Sequence, residues 1–219
     1  ADALPLLTPG TRFQVPHLAH NAHWKTLLGL YNPSGEWLDV DLSFFLLDQT
    51  RGSVVSLPPF GKVQLELDPS RWEVTQAEML AGWMELSADR PFAGWFGYQG
   101  QGMAGQETLS LLPLFASEDS ATQKRINHVA SNHVWSTGVA LLNPGLESCQ
   151  VTVTGFDREG GEVATTTLTL PGRTKTARLV RELMPGQAVE SVVLRTSAPV
   201  HGFVLYGSLD GELLAALPL

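Results

Sequence analysis

The strongest constraint on this chain is that one stretch of it occurs twice. Residues 17–33 read HLAHNAHWKTLLGLYNP and residues 128–144 read HVASNHVWSTGVALLNP. His17 and His128, Asn21 and Asn132, Trp24 and Trp135, Thr26 and Thr137, and Asn32 and Asn143 coincide at one constant offset. Further on, Pro91 matches Pro199, Gly94 matches Gly202 and Tyr98 matches Tyr206, three residues closer together, so short deletions fell between the copies. Each half closes on Leu-Pro-Leu, at 112–114 and 217–219. A chain of 219 residues built this way is expected to form two units of about 110 residues. Each is large enough to bury a core without disulfides or a metal.

Within each copy the apolar residues alternate. Trp24, Thr26, Leu28 and Leu30 share one parity, as do Trp135, Thr137, Val139 and Leu141, so the Trp-led face is expected inward with both tryptophans as core anchors. Asn32-Pro33 and Asn143-Pro144 end these strands, because proline donates no ladder hydrogen bond and Asn-Pro favours a turn. Leu38, Val40, Leu42 and Phe44 then alternate with Asp39, Asp41 and Ser43, the pattern of an antiparallel sheet with one wet face. Asp48 to Gly52 and Asp157 to Gly160 read as hairpin turns. Thr11–Val15 reads as a first strand stopped by Pro16. The strand pairs Trp83–Ser87 with Phe92–Tyr98, and Ser191–Thr196 with Val200–Tyr206, close the two halves. One helical turn is expected per copy, at the capping box Thr75–Glu78 and around Leu179–Met184.

Seven or eight short strands per ~100 residues, with turns every 8–12, is the profile of an Ig-like β-sandwich. The expected fold is therefore all-β, as two tandem antiparallel sandwiches; both repeats closing into one barrel is the alternative. The expected division is an irregular lead-in at 1–10, repeat 1 at 11–114, a connector at 115–123 and repeat 2 at 124–219. The order Trp-x-Thr-x-Leu/Val-x-Leu-x-Asn, Asp…Gly, Leu-Pro…Gly and Pro-x-x-Gly-Trp/Phe…Tyr resembles β-sandwich repeat modules of bacterial exported proteins. The resemblance spans nearly the whole chain and carries over no functional residue. It implies a non-enzymatic part of a secreted or surface protein, in the periplasm, at the cell surface or outside the cell.

Charge narrows the partners. With 14 Lys+Arg against 22 Asp+Glu the formal charge is −8, and the one basic pair, Lys124-Arg125, is no phosphate-tracking surface, so nucleic acid is excluded. Apolar runs fall far short of the ~18 residues of a membrane span. The first residues, Ala-Asp-Ala-Leu-Pro, lack the basic start of a signal peptide. Cys149 is the sole cysteine and shares a strand face with Val151 and Val153, which reads as a buried, inert thiol.

Residues common to both copies serve the shared fold; residues peculiar to one copy are where a site belongs. Five of the six tryptophans lie in the first copy. Of these, Trp37 and Trp72 flank turns and Trp83 aligns with Ser191, so the three are the candidates for a face that stacks on sugars or anchors a protein chain. His17, His20 and His23 form an H-x-x-H-x-x-H run of imidazoles suited to zinc. On an extended strand His20 points away from the other two, and only His17 has a counterpart, His128, expected to donate a hydrogen bond beside Asn132. Gly97–Gly102 lacks the Lys-Ser/Thr of a phosphate loop, Gly207–Gly211 is no nucleophile elbow, and no spacing pairs Glu66, Glu73, Glu78 or Glu85 as glycosidase carboxylates. The expectation is a non-catalytic structural or interaction protein with no cofactor and a protein or polysaccharide partner; carbohydrate binding through the first-copy tryptophans and a metal site on the histidine run are the alternatives.

Overall fold

A computed structural model describes residues 7–21, 24–46, 49–67, 80–102 and 105–219. The chain is all-β and divides into two compact units, residues 1–101 with 107–117 and residues 102–106 with 118–219. Unit 1 contains β1 (Gly10–His20), β2 (Trp24–Tyr31), β3 (Leu38–Leu46), β4 (Thr50–Leu57), β5 (Lys62–Glu66), β6 (Leu80–Gln101), β7 (Glu107–Pro113) and β8 (Phe115–Ala116). Unit 2 contains β9 (Ala121–Ile126), β10 (Trp135–Asn143), β11 (Cys149–Phe156), β12 (Glu162–Leu170), β13 (Thr174–Leu179), helix α1 (Val180–Leu183), β14 (Ser191–Ser208) and β15 (Leu214–Pro218).

The centre of each unit is one long strand that belongs to two sheets. The first half of β6 pairs with β1 and β3, and its second half pairs with β2 and β7. In unit 2, β14 does the same with β9 and β11, then with β10 and β15. β4 and β12 extend the first sheets beyond β3 and β11; β5 and β13 extend the second sheets beyond β2 and β10. All pairs are antiparallel, and every ladder among the described residues joins strands of one unit. The shared closed barrel is therefore not formed, and two tandem sandwiches are. The switch between sheets falls at the same place in both copies, where the ladder with β1 jumps from Ser87 to Phe92 and that with β9 from Arg195 to Val200. Strands that change sheets through an irregularity make the corners of such sandwiches.

This corrects three strand boundaries. Asp89-Arg90-Pro91 is the corner inside one 22-residue strand, not a turn between two, and Ser197-Ala198-Pro199 is likewise inside the 18-residue β14. Pro16 does not end β1: the ladder skips between Val15 and Leu18, then resumes. A residue without an N–H is tolerated at such a bulge. The connector is also shorter than composition suggests, because Phe115–Ala116 pairs with β1 and β9 starts at Ala121. Only residues 117–120 lie between, with one 3-10 turn at Ser117–Asp119.

Alternation explains the core. Leu38, Val40, Leu42 and Phe44 are buried between exposed Asp39 and Asp41. In unit 2 the core joins Ile126, Val151, Val153, Val192 and Leu194 of one sheet to Val139, Leu141 and Val204 of the other. The inward faces of both sheets thus line one core, as a sandwich requires. Truncating any of these large side chains to Ala typically costs about 2–5 kcal/mol. The two repeated tryptophans are an exception to the expected interior: Trp24 and Trp135 lead the inward face but are only half-buried, because each sits at the strand's first residue. Fully buried Phe44, Phe92, Phe96 and Phe203 occupy the interior instead. Cys149 is buried, and burial pushes its thiol up, which keeps it protonated.

The helical turn α1 lies where expected, its first turn closed by the Leu179 N–H donating to the Glu182 carboxylate at 3.1 Å. The Asp157 turn is present too, with the Gly161 N–H donating to Asp157 Oδ1 and Gly160 at φ 84°. Thr75–Glu78 and Asp48 lie outside the described residues.

Candidate functional site

The polar side chains that both copies share are occupied in holding backbone. Thr26 Oγ1 accepts from the Ala19 N–H and donates to the Ala19 carbonyl, both at 2.9 Å. Thr137 repeats this with Ala130, at 2.8 and 3.0 Å. Asn21 and Asn132 accept from the N–H of Trp24 and Trp135. Asn32, fully buried, donates through Nδ2 to the carbonyls of Glu36, Leu57 and Pro58 and accepts from the Ser34 N–H. Asn143 does the same for Glu147, Leu170, Pro171 and Gly145. Each Asn-Pro turn is thereby stitched to a second turn 25 or more residues away.

His17 and His128 share a main-chain role. Their main-chain carbonyls accept the hydroxyls of Tyr98 and Tyr206, at 2.6 and 2.7 Å, and their rings lie 6.1 and 6.3 Å from those tyrosine rings. Burial raises the pKa of both tyrosines, so each hydroxyl stays a donor. His20 is buried with no hydrogen-bond partner for Nδ1 among the described residues. His23 lies outside them. Among the described residues no three His, Cys, Asp or Glu side chains gather as metal ligands.

The three candidate tryptophans part company. Trp83 is 2% exposed and stacks on Phe45, its cross-strand partner, with centroids 4.0 Å apart and planes 11° apart. It has no face to offer a ligand, and its place among the candidates is corrected accordingly: tolerance of Ser191 at the matching position says the frame does not need an aromatic, not that the aromatic is outside. Trp72 lies outside the described residues. Trp37 is 65% exposed in the loop after β2, where the Arg90 guanidinium donates to its carbonyl and pairs with Glu36. Phe60, 66% exposed, stands in the adjoining turn, whose Gly61 N–H donates to the Pro58 carbonyl. Its φ of 54° is the left-handed conformation that glycine fills most easily. Arg173, also at φ 54°, repeats the turn in unit 2, so the conformation belongs to the frame and the aromatic belongs to copy 1.

Trp95 is not among the residues that the sequence pattern singles out. It faces Gly29 across the β2–β6 ladder, and its indole fills the space where a side chain at 29 would be. A tryptophan opposite a lone glycine in the neighbouring strand was the signal for it. Unit 2 adds a cleft of about 850 Å³ where α1 and the loop after it meet the repeated stretch, with Trp135, Tyr206, Met184, Arg181 and Glu190 among its lining. Its walls come from the least repetitive part of the copy, so periodicity gave no sign of it.

The sheet edges differ in how they are protected. β5 alternates Lys62, Gln64 and Glu66; β4 carries an exposed Arg51 in register with Phe44, next to Gly52; β7 and β15 end in Pro113 and Pro218. β12 pairs only with β11, and its Val163–Leu170 segment contains no charge, proline or glycine. Its outer side chains Thr165, Thr167 and Thr169 are exposed and face Thr154, Thr152 and Gln150. Charges and prolines are among the features that keep an edge from adding a strand, and this segment has neither; its irregularity is confined to a bulge at Val163, where the ladder with β11 steps from Ala164 to Glu162.

No family model matches the chain, and no curated protein matches it. Among solved structures it is similar to a β-glucuronidase of glycoside hydrolase family 2, at 8% identity and a TM-score of 0.20 over 95% of this chain and 23% of that one. It is similar also to Bacteroides uniformis β-glucuronidase 2, at 8% identity and a TM-score of 0.18 over 94% and 25%. A third is a putative β-galactosidase from Bacteroides fragilis, at 10% identity and a TM-score of 0.19 over 90% and 30%. The chain spans less than a third of the length of each.

Proposed function

We propose that this is a non-catalytic structural and interaction protein that assembles with copies of itself through the edge of β12. The bare edge is the observation that carries the reading. Antiparallel self-pairing centred on Thr166 sets Thr165 against Thr167 and Ala164 against Leu168, short of the bulge at Val163. No like charges meet in that register, and threonine pairs are favourable across strands. The occupation of the shared Asn, Thr and Tyr side chains by backbone supports a scaffold rather than a catalyst. The assembly it joins is one of the bacterial envelope or a secreted structure, as the resemblance of its repeat implies.

Sedimentation velocity over a range of protein concentrations tests it. The wild type should shift from monomer to dimer as concentration rises. Thr166→Lys, which places a charge in the middle of the edge, should remain monomeric with an unchanged circular dichroism spectrum. Thr166→Cys should form an intermolecular disulfide on oxidation, because Thr166 meets itself at the two-fold axis. A wild type that stays monomeric throughout, or a Thr166→Lys variant that still dimerises, overturns the proposal.

A further inference from the structure

We infer that the outer face of the β5-β2-β6-β7 sheet in unit 1 is a glycan-binding platform, on which Trp95 stacks a pyranose ring while Gln64 and Lys62 engage its hydroxyls. A Cβ built on Gly29 would stand 2.2 Å from Trp95 Cε2, 2.4 Å from Nε1 and 2.6 Å from Cζ2. The nearest atom, at the ring fusion, has its outer bonded neighbours Nε1 and Cζ2 slightly farther away, which is the signature of a ring lying face-down on the strand, since an edge-on ring would bring those outer atoms closest. One face of the indole is covered by Gly29, and Trp95 is only half-buried. Trp95 also lines an open groove of about 450 Å³, together with Leu7, Tyr31, Lys62 and Gln64.

Register sets the neighbours. Gln64 lies directly across from Gly29 and Lys62 across from Tyr31, so all four occupy one face. Adjacent strands are about 4.8 Å apart and alternate residues about 7 Å apart, which puts an amide, an ammonium and a second ring, Tyr31 at 41% exposed, around the indole at the spacing of sugar substituents. Lys62 and Gln64 are exposed and hold no hydrogen-bond or ion-pair partner among the described residues. The nearby carboxylate, Glu66, is engaged by Lys25 at 3.1 Å. An aromatic face bordered by a few polar groups suits the C–H face of a neutral pyranose. The chain's net charge of −8 disfavours a polyanionic glycan.

The second copy separates this arrangement from the needs of the fold. At the positions of Gly29, Tyr31 and Trp95 it has Ala140, Leu142 and Phe203, all buried, and at that of Gln64 it has Ala177. Ala140 shows that the ladder accepts a Cβ there, so the glycine at 29 serves the indole that lies on it. The platform is a property of copy 1 alone, and it is independent of β12.

Isothermal titration of the full chain with cellohexaose, xylohexaose, mannohexaose and chitohexaose tests the inference. At least one oligosaccharide should bind the wild type, and Trp95→Ala should weaken it by about tenfold or more, the range of one lost aromatic contact. Gln64→Ala and Lys62→Met, at exposed positions that leave the core untouched, should each weaken binding severalfold while the thermal melt is unchanged. Thr166→Lys should bind like the wild type, whatever its oligomeric state. No heat or chemical-shift response to any of the four sugars overturns the inference, as does binding that survives both Trp95→Ala and the double Gln64→Ala, Lys62→Met variant.

Discussion

At the scale of single residues, the duplicated Asn-Pro turns show how much one buried amide can hold. Asn143 donates to three carbonyls and accepts from a backbone N–H. Asn143→Ala would leave those groups short of partners, at a cost of about 1–3 kcal/mol for each one that water cannot reach. Urea denaturation should show a loss of about 3 kcal/mol, and Asn32→Ala should match it because its network is the same. His201 gives a pH dependence with a definite sign. It is fully buried, and its pKa falls from 6.5 to about 4, first through burial and then through the nearby Lys124 ammonium. Between those values the unfolded chain binds a proton that the folded chain refuses. Stability is therefore complete above pH 6.5 and falls as the pH drops towards 4, by up to about 3 kcal/mol. Denaturation midpoints measured across that window should show the slope, and His201→Leu should flatten it.

At the scale of elements, the alternation of Leu38, Val40, Leu42 and Phe44 and the matched pairs of the two copies made the strands and their faces legible in the sequence. What was not legible was continuity. Pro16 and Asp89-Arg90-Pro91 carry the chemistry of chain breaks, yet in an antiparallel sandwich the same chemistry makes a bulge or a corner when flanking strands hold both sides. Tryptophan exposure was equally hidden, because it depends on the partner strand: Trp83 meets Phe45 and is buried, whereas Trp95 meets Gly29 and stays half-buried. Register also predicts dynamics. β6 and β14 are paired on both sides along most of their length, so their amides should exchange slowest with solvent, and those of β5 and β12 fastest within the sheets, in hydrogen-exchange mass spectrometry.

At the scale of the whole molecule, a charge of −8 and an isoelectric point near 5.2 oppose the self-pairing proposed for β12. Salt screens such repulsion, with a Debye length of about 10 Å at 0.1 M. Dimerisation should therefore strengthen from low to moderate ionic strength, the opposite of an assembly held by ion pairs; sedimentation at two salt concentrations decides between them. The long strand shared by two sheets has a further consequence, for the order of events during synthesis. In each half it is the spatial centre but comes late in the chain, after five strands that have few partners without it. A nascent first half must wait for Leu80–Gln101 to leave the ribosome before its sheets can close, and distant pairings of this kind form slowly. Two halves sharing one frame then risk exchanging strands, the characteristic error of tandem repeats. One glycine opposes such an exchange. Trp95 rests on Gly29, where a Cβ would stand 2.2 Å from the indole, whereas β10 offers Ala140 at the matching place. The missing side chain marks β2 as the strand to which Trp95 belongs.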